Sequence, residues 1–435
     1  MKKSTLALPA LGLAAMVALS ACAPGSAATA PSAAPDSIST EIPSTDVVLE
    51  LATTPESGAA TKKIAEAFTQ KHSNVKVNVT ATSFEDYNKG INLQLDSDKA
   101  PDIALMNVVG NTVKNNLVLN LDAYSEAYGW ENTYSASGLS QWRVAEDGET
   151  LGSGPLYAVP SGFSEVGLYY NKALAKQVGI DGPPQTLKEL EEDMAKAKEA
   201  GVLPLQLGNA QGHASFVVQS IGQSEYGAEN AAKWAFGTKG TSFDTPGNRL
   251  GAEKLQEWTK AGYIPDSANS VDLQGAVAKF GAGEGLFFVD GNWDASKISD
   301  ALQSDAGFAV FPGKTRAAIG SSVGYAISAK SKNKDTAAAF LNFMSSPEAG
   351  KLQFEQGFLP ADTSVVTAEP GTVRADLLKA FGELRDADGI IPFNNNATAT
   401  MDKTLTAETQ RLIAGEAGTD DFIKAVQDNW TKVHG

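Results

Sequence analysis

The 435-residue sequence contains a single cysteine, Cys22, and only three histidines, at positions 72, 213 and 434. One cysteine cannot form an internal disulfide, and it excludes a cysteine-rich metal site. The histidines are far apart and no carboxylate pattern accompanies them, so they do not indicate a metal centre. We therefore expect a protein without a metal ion or another cofactor.

Basic residues are also scarce. The chain has 35 Lys and Arg against 51 Asp and Glu, a formal net charge of -16 at pH 7. A surface of this sign repels the phosphate backbone of nucleic acids, which disfavours DNA or RNA as a partner. An anionic small ligand is disfavoured too, because no cluster of Lys or Arg accompanies the candidate ligand residues described below.

Long apolar runs are missing except near the start, at residues 6–19. This run is shorter than the about 20 residues that a membrane-spanning helix needs, and two lysines precede it. It leads into Leu19-Ser20-Ala21-Cys22, which resembles the lipobox of bacterial lipoproteins. The resemblance implies that residues 1–21 are a signal peptide and that Cys22 carries lipid, so the protein would be extracytoplasmic and anchored to a bacterial cell membrane. The alternative is a plain secretory signal with an unrelated cysteine.

Residues 22–45 are rich in Ala, Pro, Ser and Thr, with prolines at 24, 31, 35 and 43. Such a segment has too little apolar surface to fold by itself. We predict a disordered tether that links the anchor to a folded body and leaves the body free to turn. The chain beyond it is long enough for two or three domains.

The body begins with strand and helix patterns in alternation. Predicted strands at residues 47–51, 75–79 and 101–106 are separated by helical stripes of apolar residues. This alternation predicts an α/β fold with a mainly parallel sheet, in which ligands bind beyond the carboxyl ends of the strands. Candidate ligand residues at these ends are Glu56, Ser57 and Asn107, although each is also a plausible helix cap.

Residues 155–172 predict the crossover between two lobes. Two short apolar runs flank Pro160-Ser161-Gly162, and proline cannot donate to a central strand ladder, so we expect a loop there. A few loop residues of this kind can absorb a hinge rotation. We include Ser161 and Phe163 among the candidate ligand residues. The alternative is an ordinary strand-loop-strand inside one domain.

The alternation resumes after the crossover. A strand at residues 202–207 precedes a polar loop with Asn209 and His213, and a strand at 286–289 runs into Asp290-Gly291-Asn292-Trp293-Asp294. An aromatic ring flanked by amide and carboxylate groups suits a sugar, which has apolar C–H faces and a polar rim. The alternative for Trp293 is a core position, as we predict for Trp258 and Trp430.

The order of these motifs resembles the extracellular solute-binding proteins of ABC importers, the sugar-binding family that includes maltose-binding protein. The matching pieces are residues 101–103, 166–172, 290–293, 324–327 and 337–341, and the match covers roughly residues 47–430. The family implies a two-lobed periplasmic-binding-protein-like fold of type II, each lobe a mainly parallel sheet flanked by helices. It further implies a ligand in the cleft and delivery of that ligand to permease subunits in the membrane.

The resemblance implies an N-terminal lobe of residues 46–159 and 323–362, and a C-terminal lobe of residues 160–322 and 363–435. We expect a monomer without catalytic residues. The implied ligand-binding residues are Glu56, Ser57, Asn107, Ser161, Phe163, Asn209, His213, Asp290, Asn292, Trp293, Tyr325, Asn394, Asn395 and Asn396. Because Met106-Asn107 replaces the aromatic and charged groups of maltose-binding protein, a maltodextrin is not implied.

Three other interpretations remain open. The same fold would also suit a polyol, a glycerol phosphate or another polar solute. Asp290 and Asp294 would serve a surface-anchored glycoside hydrolase if they were fixed on either side of a sugar. A cell-surface adhesion module is the third class, but it would leave Trp293 and the asparagine-rich loop without a role.

Overall fold

The structure is a computed structural model, and it describes residues 37–107, 109–134, 136–145, 147–148, 150–227, 229–387 and 389–435. The predicted signal peptide, Cys22 and most of the predicted tether lie outside the described residues. Within those residues, no helix combines the length and the apolar composition needed to cross a lipid bilayer. The same part of the chain holds no group of three or more His, Cys, Asp or Glu side chains that could bind a metal ion.

The strands of the described residues follow the predicted alternation in the first part of the chain. They are β1 (Val47–Thr53), β2 (Val75–Ala81), β3 (Ile103–Met106), β4 (Arg143–Val144), β5 (Leu151–Leu156), β6 (Val159–Asn171), β7 (Leu205–Gln206), β8 (Phe287–Gly291), β9 (Ala306–Ala309), β10 (Ala318–Ile327) and β11 (Ile390–Ile391).

One α-helix begins after Thr186, whose hydroxyl accepts a hydrogen bond from Glu189 N. The α-helices of the described residues are α1 (Pro55–Lys71), α2 (Phe84–Asp96), α3 (Gly110–Lys114), α4 (Asp122–Tyr128), α5 (Trp130–Thr133), α6 (Ala136–Ser140), α7 (Lys172–Gln177), α8 (Leu187–Glu199), α9 (Ala214–Tyr226), α10 (Glu229–Ala235), α11 (Pro246–Lys260), α12 (Leu273–Gly281), α13 (Ala295–Leu302), α14 (Lys334–Met344), α15 (Pro347–Glu355), α16 (Val373–Asp386), α17 (Met401–Ala414) and α18 (Thr419–His434).

One mixed sheet runs through the molecule in the order β2-β1-β3-β10-β6-β8-β7, with β11 added to β10 and β9 added to β6. The outer pairs β1–β2, β1–β3 and β7–β8 are parallel, as the alternation of strands and helices predicts. The central pairs β3–β10, β10–β6 and β6–β8 are antiparallel. The two long strands β6 and β10 therefore join the parallel ends of the sheet.

Two large hydrophobic cores lie at the two ends of this sheet. Lobe 1 is built around a core drawn from residues 49–159 and 325–349. Lobe 2 is built around a core drawn from residues 166–319 and 397–430. A third cluster covers the other face of β8 and includes Tyr169, Phe288 and Phe308. The chain thus has the two-lobed α/β fold that its motifs predicted.

The crossover differs from the sequence expectation at Pro160. The predicted loop at residues 160–162 is wrong, because β6 continues through these residues from Val159 to Asn171. Its pairing with β10 shifts between Ser322 and Gly324, directly opposite Pro160. A bulge of this kind accommodates a residue that has no backbone donor. Two of the crossings between the lobes, β6 and β10, are therefore paired antiparallel strands.

The segment before β1 also differs from expectation. Ile38 and Ile42 pack against the core of lobe 1, and Ser39 N donates to the Asp335 carboxylate over 3.0 Å. The Asn74 side chain donates to the carbonyl groups of Pro43 and Thr45. The two isoleucines give residues 38–45 an apolar anchor that the alanine- and serine-rich residues before them lack.

Candidate functional site

Trp293 lies where β8 passes from lobe 2 toward lobe 1. The strand ends at Gly291, and a 3-10 helix, Asn292–Asp294, carries the indole. The indole lies over Gly291, whose missing side chain makes room for it, because a Cβ atom there would overlap the ring. Helix α1 of lobe 1 contacts the same 3-10 helix. Trp293 is therefore a half-buried ring at the boundary between the lobes.

Three other rings surround Trp293. The Phe216 ring of α9 lies 6.3 Å from it and nearly perpendicular, and the Phe393 ring lies 6.1 Å away. Phe216 and Phe393 are 5.5 Å apart, and the His213 ring stands edge-on to Phe216 at 5.2 Å. We call these four residues the aromatic cluster. Edge-on and tilted arrangements of this kind are favourable contacts between aromatic rings.

Buried polar atoms without a hydrogen-bond partner occur on residues of both lobes that we predicted for the site. In the described part of the chain they include Glu56 Oε2 from lobe 1, and His213 Nδ1 and Asn395 Oδ1 from lobe 2. Burial without a partner costs about 1–3 kcal/mol for each such atom. Burial also lowers the pKa of His213 to about 4, so its imidazole is neutral at pH 7. Each of these atoms could accept a hydrogen bond from a ligand hydroxyl group, or donate one in the case of a protonated imidazole nitrogen.

A small gap lies between the lobes, and its lining does not include the four residues of the aromatic cluster. Its walls come from lobe 1 at Asn107 and Trp142, from β10 at Ser321, and from lobe 2 at Phe236 and Asn396, and its volume is about 20 Å³. Leu151 N also donates to Phe236 O over 3.4 Å, which joins the lobes directly. This volume admits about one water molecule, whereas small-molecule sites measure roughly 300–1,000 Å³. A larger ligand would fit into this gap only if the lobes were further apart.

Two predicted site residues lie on the other side of the sheet. Successive strand residues point to opposite faces, and Val289 joins the core of lobe 2 while Phe288 joins the third cluster. Asp290 has the orientation of Phe288 and is fully buried. Phe163 packs on Phe381 with the ring centres 5.9 Å apart. The structure does not bring Asp290 or Phe163 to the aromatic cluster.

Both carboxylate oxygens of Asp290 are buried without a hydrogen-bond partner, whereas Asp294 Oδ1 lies 2.9 Å from Lys297 Nζ. Burial and the nearby Asp294 carboxylate raise the pKa of Asp290 well above its ordinary value. Both carboxyl groups are fully buried. They cannot flank a sugar at Trp293, which removes the pair on which the glycoside hydrolase interpretation depended.

Two predicted asparagines are occupied by structural hydrogen bonds. Asn209 accepts from Ala214 N at the start of α9 and donates to Asn269 Oδ1. Asn292 accepts from Glu165 N and donates to both Phe163 O and Gly357 O. Both are fully buried. Asn292 thereby joins the crossing strand β6, the end of β8 and the loop after α15.

Tyr325, Ser57 and Ser161 are likewise inside the protein. The Tyr325 hydroxyl forms hydrogen bonds with Thr53 Oγ1 at 3.0 Å and Thr61 Oγ1 at 2.7 Å, within lobe 1. Ser57 is buried in the first turn of α1, and the Ser161 hydroxyl accepts from Gln353 Nε2. These three side chains do not reach the aromatic cluster.

The asparagine-rich loop between β11 and α17 does reach the cluster, because Phe393 lies in it. Asn396 lines the gap between the lobes together with Asn107, and Asn107 also donates to Asn88 Oδ1. Asn394 is buried and its backbone N–H donates to Gln219. Of the predicted residues, Trp293, His213 and the loop residues therefore come together in lobe 2, while Glu56 and Asn107 lie in lobe 1.

Phe216 and Phe393 were not predicted from the sequence as site residues. Phe216 lies in an apolar helical stripe that is typical of a core helix. Phe393 lies in a loop in which only the neighbouring asparagines were predicted to bind a ligand. No local signal separates such rings from core residues. Only the convergence of α9, the 3-10 helix and the late loop shows that they share one site.

A cavity of about 500 Å³ lies elsewhere in the described part of the chain. It borders Pro160 and Gly162 of β6, the α14–α15 junction around Ser345, and Pro360 and Asp362. Bonds between Phe163 and Leu359 mark this edge of β6, opposite the edge that pairs with β10. The cavity therefore adjoins the crossing strand and is separate from the aromatic cluster.

Two known bacterial proteins are similar to this chain in sequence. A binding protein of Brucella abortus is 27% identical over 245 residues, which cover 54% of this chain and 57% of that protein, so the chain spans little more than half of that relative. The multiple sugar-binding protein of Streptococcus mutans is 24% identical over 312 residues, covering 68% of this chain and 70% of that protein.

The solved structure of maltose-bound MalE3 from T. maritima superposes with a TM-score of 0.71 at 16% identity, covering 88% of this chain and 99% of that one. This likeness confirms the fold. The family model described as bacterial extracellular solute-binding protein matches residues 52–351, well over half of the chain. Membership of that family implies an extracytoplasmic location. The chain is a member of the bacterial extracellular solute-binding protein family.

Proposed function

We propose that the protein is the substrate-binding receptor of an ABC importer and that it captures a carbohydrate between its two lobes. The observation that carries this proposal is the aromatic cluster at the lobe boundary, with unpaired polar atoms on Glu56, His213 and Asn395. A sugar offers apolar C–H faces to the rings and hydroxyl groups to the polar atoms. The sugar-binding relative in Streptococcus mutans supports this ligand class.

The chemistry of the site favours an uncharged ligand. Glu56 contributes a carboxylate, and His213 is neutral at pH 7 because its pKa is lowered to about 4. The Glu56 carboxylate would therefore repel an anion, and the neutral His213 would provide no positive charge to attract it. In this proposal Glu56, Asn107, His213, Trp293, Asn395 and Asn396 contact the sugar, together with Phe216 and Phe393.

The proposal also assigns the remaining parts of the chain. Lipid on Cys22 would hold the receptor at the outer surface of the membrane, and residues 46–159 with 323–362 and 160–322 with 363–435 would form the two lobes. A sugar that prefers the closed arrangement shifts the population toward it. The permease subunits would recognise the closed monomer and accept the sugar from it.

Tryptophan fluorescence tests the proposal during titration with a panel of neutral mono- and oligosaccharides. We expect a saturable change for at least one sugar in the wild-type protein and none in Trp293→Ala. The mixture is then analysed by chromatography, and the sugar should be recovered intact. Hydrolysis of the sugar would favour an enzyme instead, and saturable binding of polyols alone would favour the non-sugar interpretation.

A further inference from the structure

Gln219 is a buried amide directly behind the aromatic cluster. It lies on α9, one turn after Phe216, so the two side chains share a helix face. Only 3% of the residue is exposed. A glutamine is costly to bury unless its amide is hydrogen-bonded, which makes its partners informative.

The two ends of this amide bind the backbone on both sides of Phe393. Gln219 Nε2 donates to Pro392 O over 2.9 Å, and Gln219 Oε1 accepts from Asn394 N over 3.1 Å. Glutamine carries a donor and an acceptor side by side, so it can pair with an extended backbone segment as a neighbouring strand would. This pairing fixes the position of the residue between the two partners, which is Phe393.

The far end of the loop has its own attachments. His434 of α18 contacts Ala397 O through Nε2 at 2.7 Å, and Thr398 Oγ1 donates to Asn429 Oδ1 over 2.6 Å. These contacts hold the loop after the asparagines. The Gln219 pair is the one that flanks the ring of the aromatic cluster.

We propose that Gln219 is a positioning residue that sets ligand affinity by fixing Phe393 against Phe216 and Trp293. This inference rests on the proposed function and extends it to a residue that does not itself contact the ligand. With the pair intact, the third ring of the site is placed before the ligand arrives. Without it, ligand binding must also order the loop, which lowers affinity.

The test compares Gln219→Leu with a matched control, Gln206→Leu. Gln206 is also buried in lobe 2 and bonded to backbone, through Glu284 O and Leu207 N. We expect both variants to lower Tm, while only Gln219→Leu weakens sugar binding, by about tenfold. Equal affinities for Gln219→Leu and the control would overturn the proposal.

A double-mutant cycle shows whether Gln219 acts through the ring. If it does, Gln219→Leu combined with Phe393→Ala binds no more weakly than Phe393→Ala alone. Additive losses would overturn the proposal.

Gln219→Glu keeps the acceptor for Asn394 N, and its protonated form regains the donor to Pro392 O. Its affinity relative to wild type, measured at each pH, should therefore recover as the pH falls.

A ligand-free measurement separates this inference from the proposed function. Trp293 lies 6.1 Å from Phe393, so release of the loop should change the Trp293 emission. We expect Gln219→Leu to alter the protein's fluorescence in the wild-type background and not in the Trp293→Phe background. If the fluorescence changes but no sugar binds to any variant, the proposed function fails and the positioning role stands. An unchanged spectrum would overturn the role of Gln219.

Discussion

The two faces of β8 show how one strand serves two purposes. On one face, Gly291 makes room for Trp293, and the rings of the aromatic cluster gather beside lobe 1. On the other face, Asp290 is sealed under the third cluster, and Glu165 of β6 is buried on the same side with both carboxylate oxygens unpaired. Burial raises the pKa of both carboxyl groups well above the ordinary value. Residues next to each other in one motif therefore differ completely in their access to a ligand.

The largest expected effect is a loss of sugar affinity on the face of β8 that carries the aromatic cluster. Trp293→Ala should weaken sugar binding by about 2 kcal/mol or more, roughly 30-fold, because a central aromatic contact is removed. Titration by calorimetry measures the loss. Trp258→Phe is the control, since Trp258 is buried in the core of lobe 2 and donates to Glu191. A loss of affinity in that variant as large as in Trp293→Ala would contradict a local role for Trp293.

A second pair of variants compares the two faces through their glycines. A Cβ at Gly291 would overlap the Trp293 ring, whereas a Cβ at Gly167 would overlap Phe308 on the carboxyl side. Both alanine variants should lose about 1–3 kcal/mol of stability through overpacking. Only Gly291→Ala should also weaken sugar binding, because only there is the stacking ring displaced. Weaker binding by Gly167→Ala would show that the faces are coupled.

The buried carboxyl groups on the other face of β8 should make the free energy of unfolding depend on pH. The folded pKa of Asp290 is raised, so above the unfolded value near 3.8 the folded state holds a proton that the unfolded state has lost. Stability from this group falls as pH rises until the folded pKa is passed. Asp290→Asn should flatten the fall in chemical denaturation between pH 4 and 8, and Glu165→Gln should act in the same direction.

The exposed Asp98 provides the control for these substitutions. Asp98→Asn should leave the wild-type slope unchanged, and sugar affinity should be the same in all three variants. A change in affinity in Asp290→Asn would mean that the two faces of the strand are not independent.

The smallest expected effect concerns His213. Burial lowers its folded pKa from 6.5 to about 4, so the stability it contributes at pH 7 is lost as the pH falls through that interval. His213→Phe should reduce the loss of stability between pH 6.5 and 4. Denaturation curves across that range check the prediction, and an identical slope in the variant would contradict it.

The alternation of strands and helices in the first part of the chain was within reach of the sequence, because periodicity and strand ends are local signals. The continuation of β6 through Pro160 was not, since it depends on a shift of register in the pairing of β6 with the distant strand β10. Asp290 was misplaced because a buried strand gives no alternation that would tell one face from the other. Asn209 and Asn292 were indistinguishable from ligand residues until their hydrogen-bond partners were known.

Asn292 has a mechanical consequence. Its amide fastens the crossing strand, the end of β8 and the turn at Gly357 to one another, and Trp293 is the next residue in the chain. The backbone that carries the indole is therefore held in place by the crossing strand. If the lobes rotate about that strand, the position of the indole would change with the angle between them.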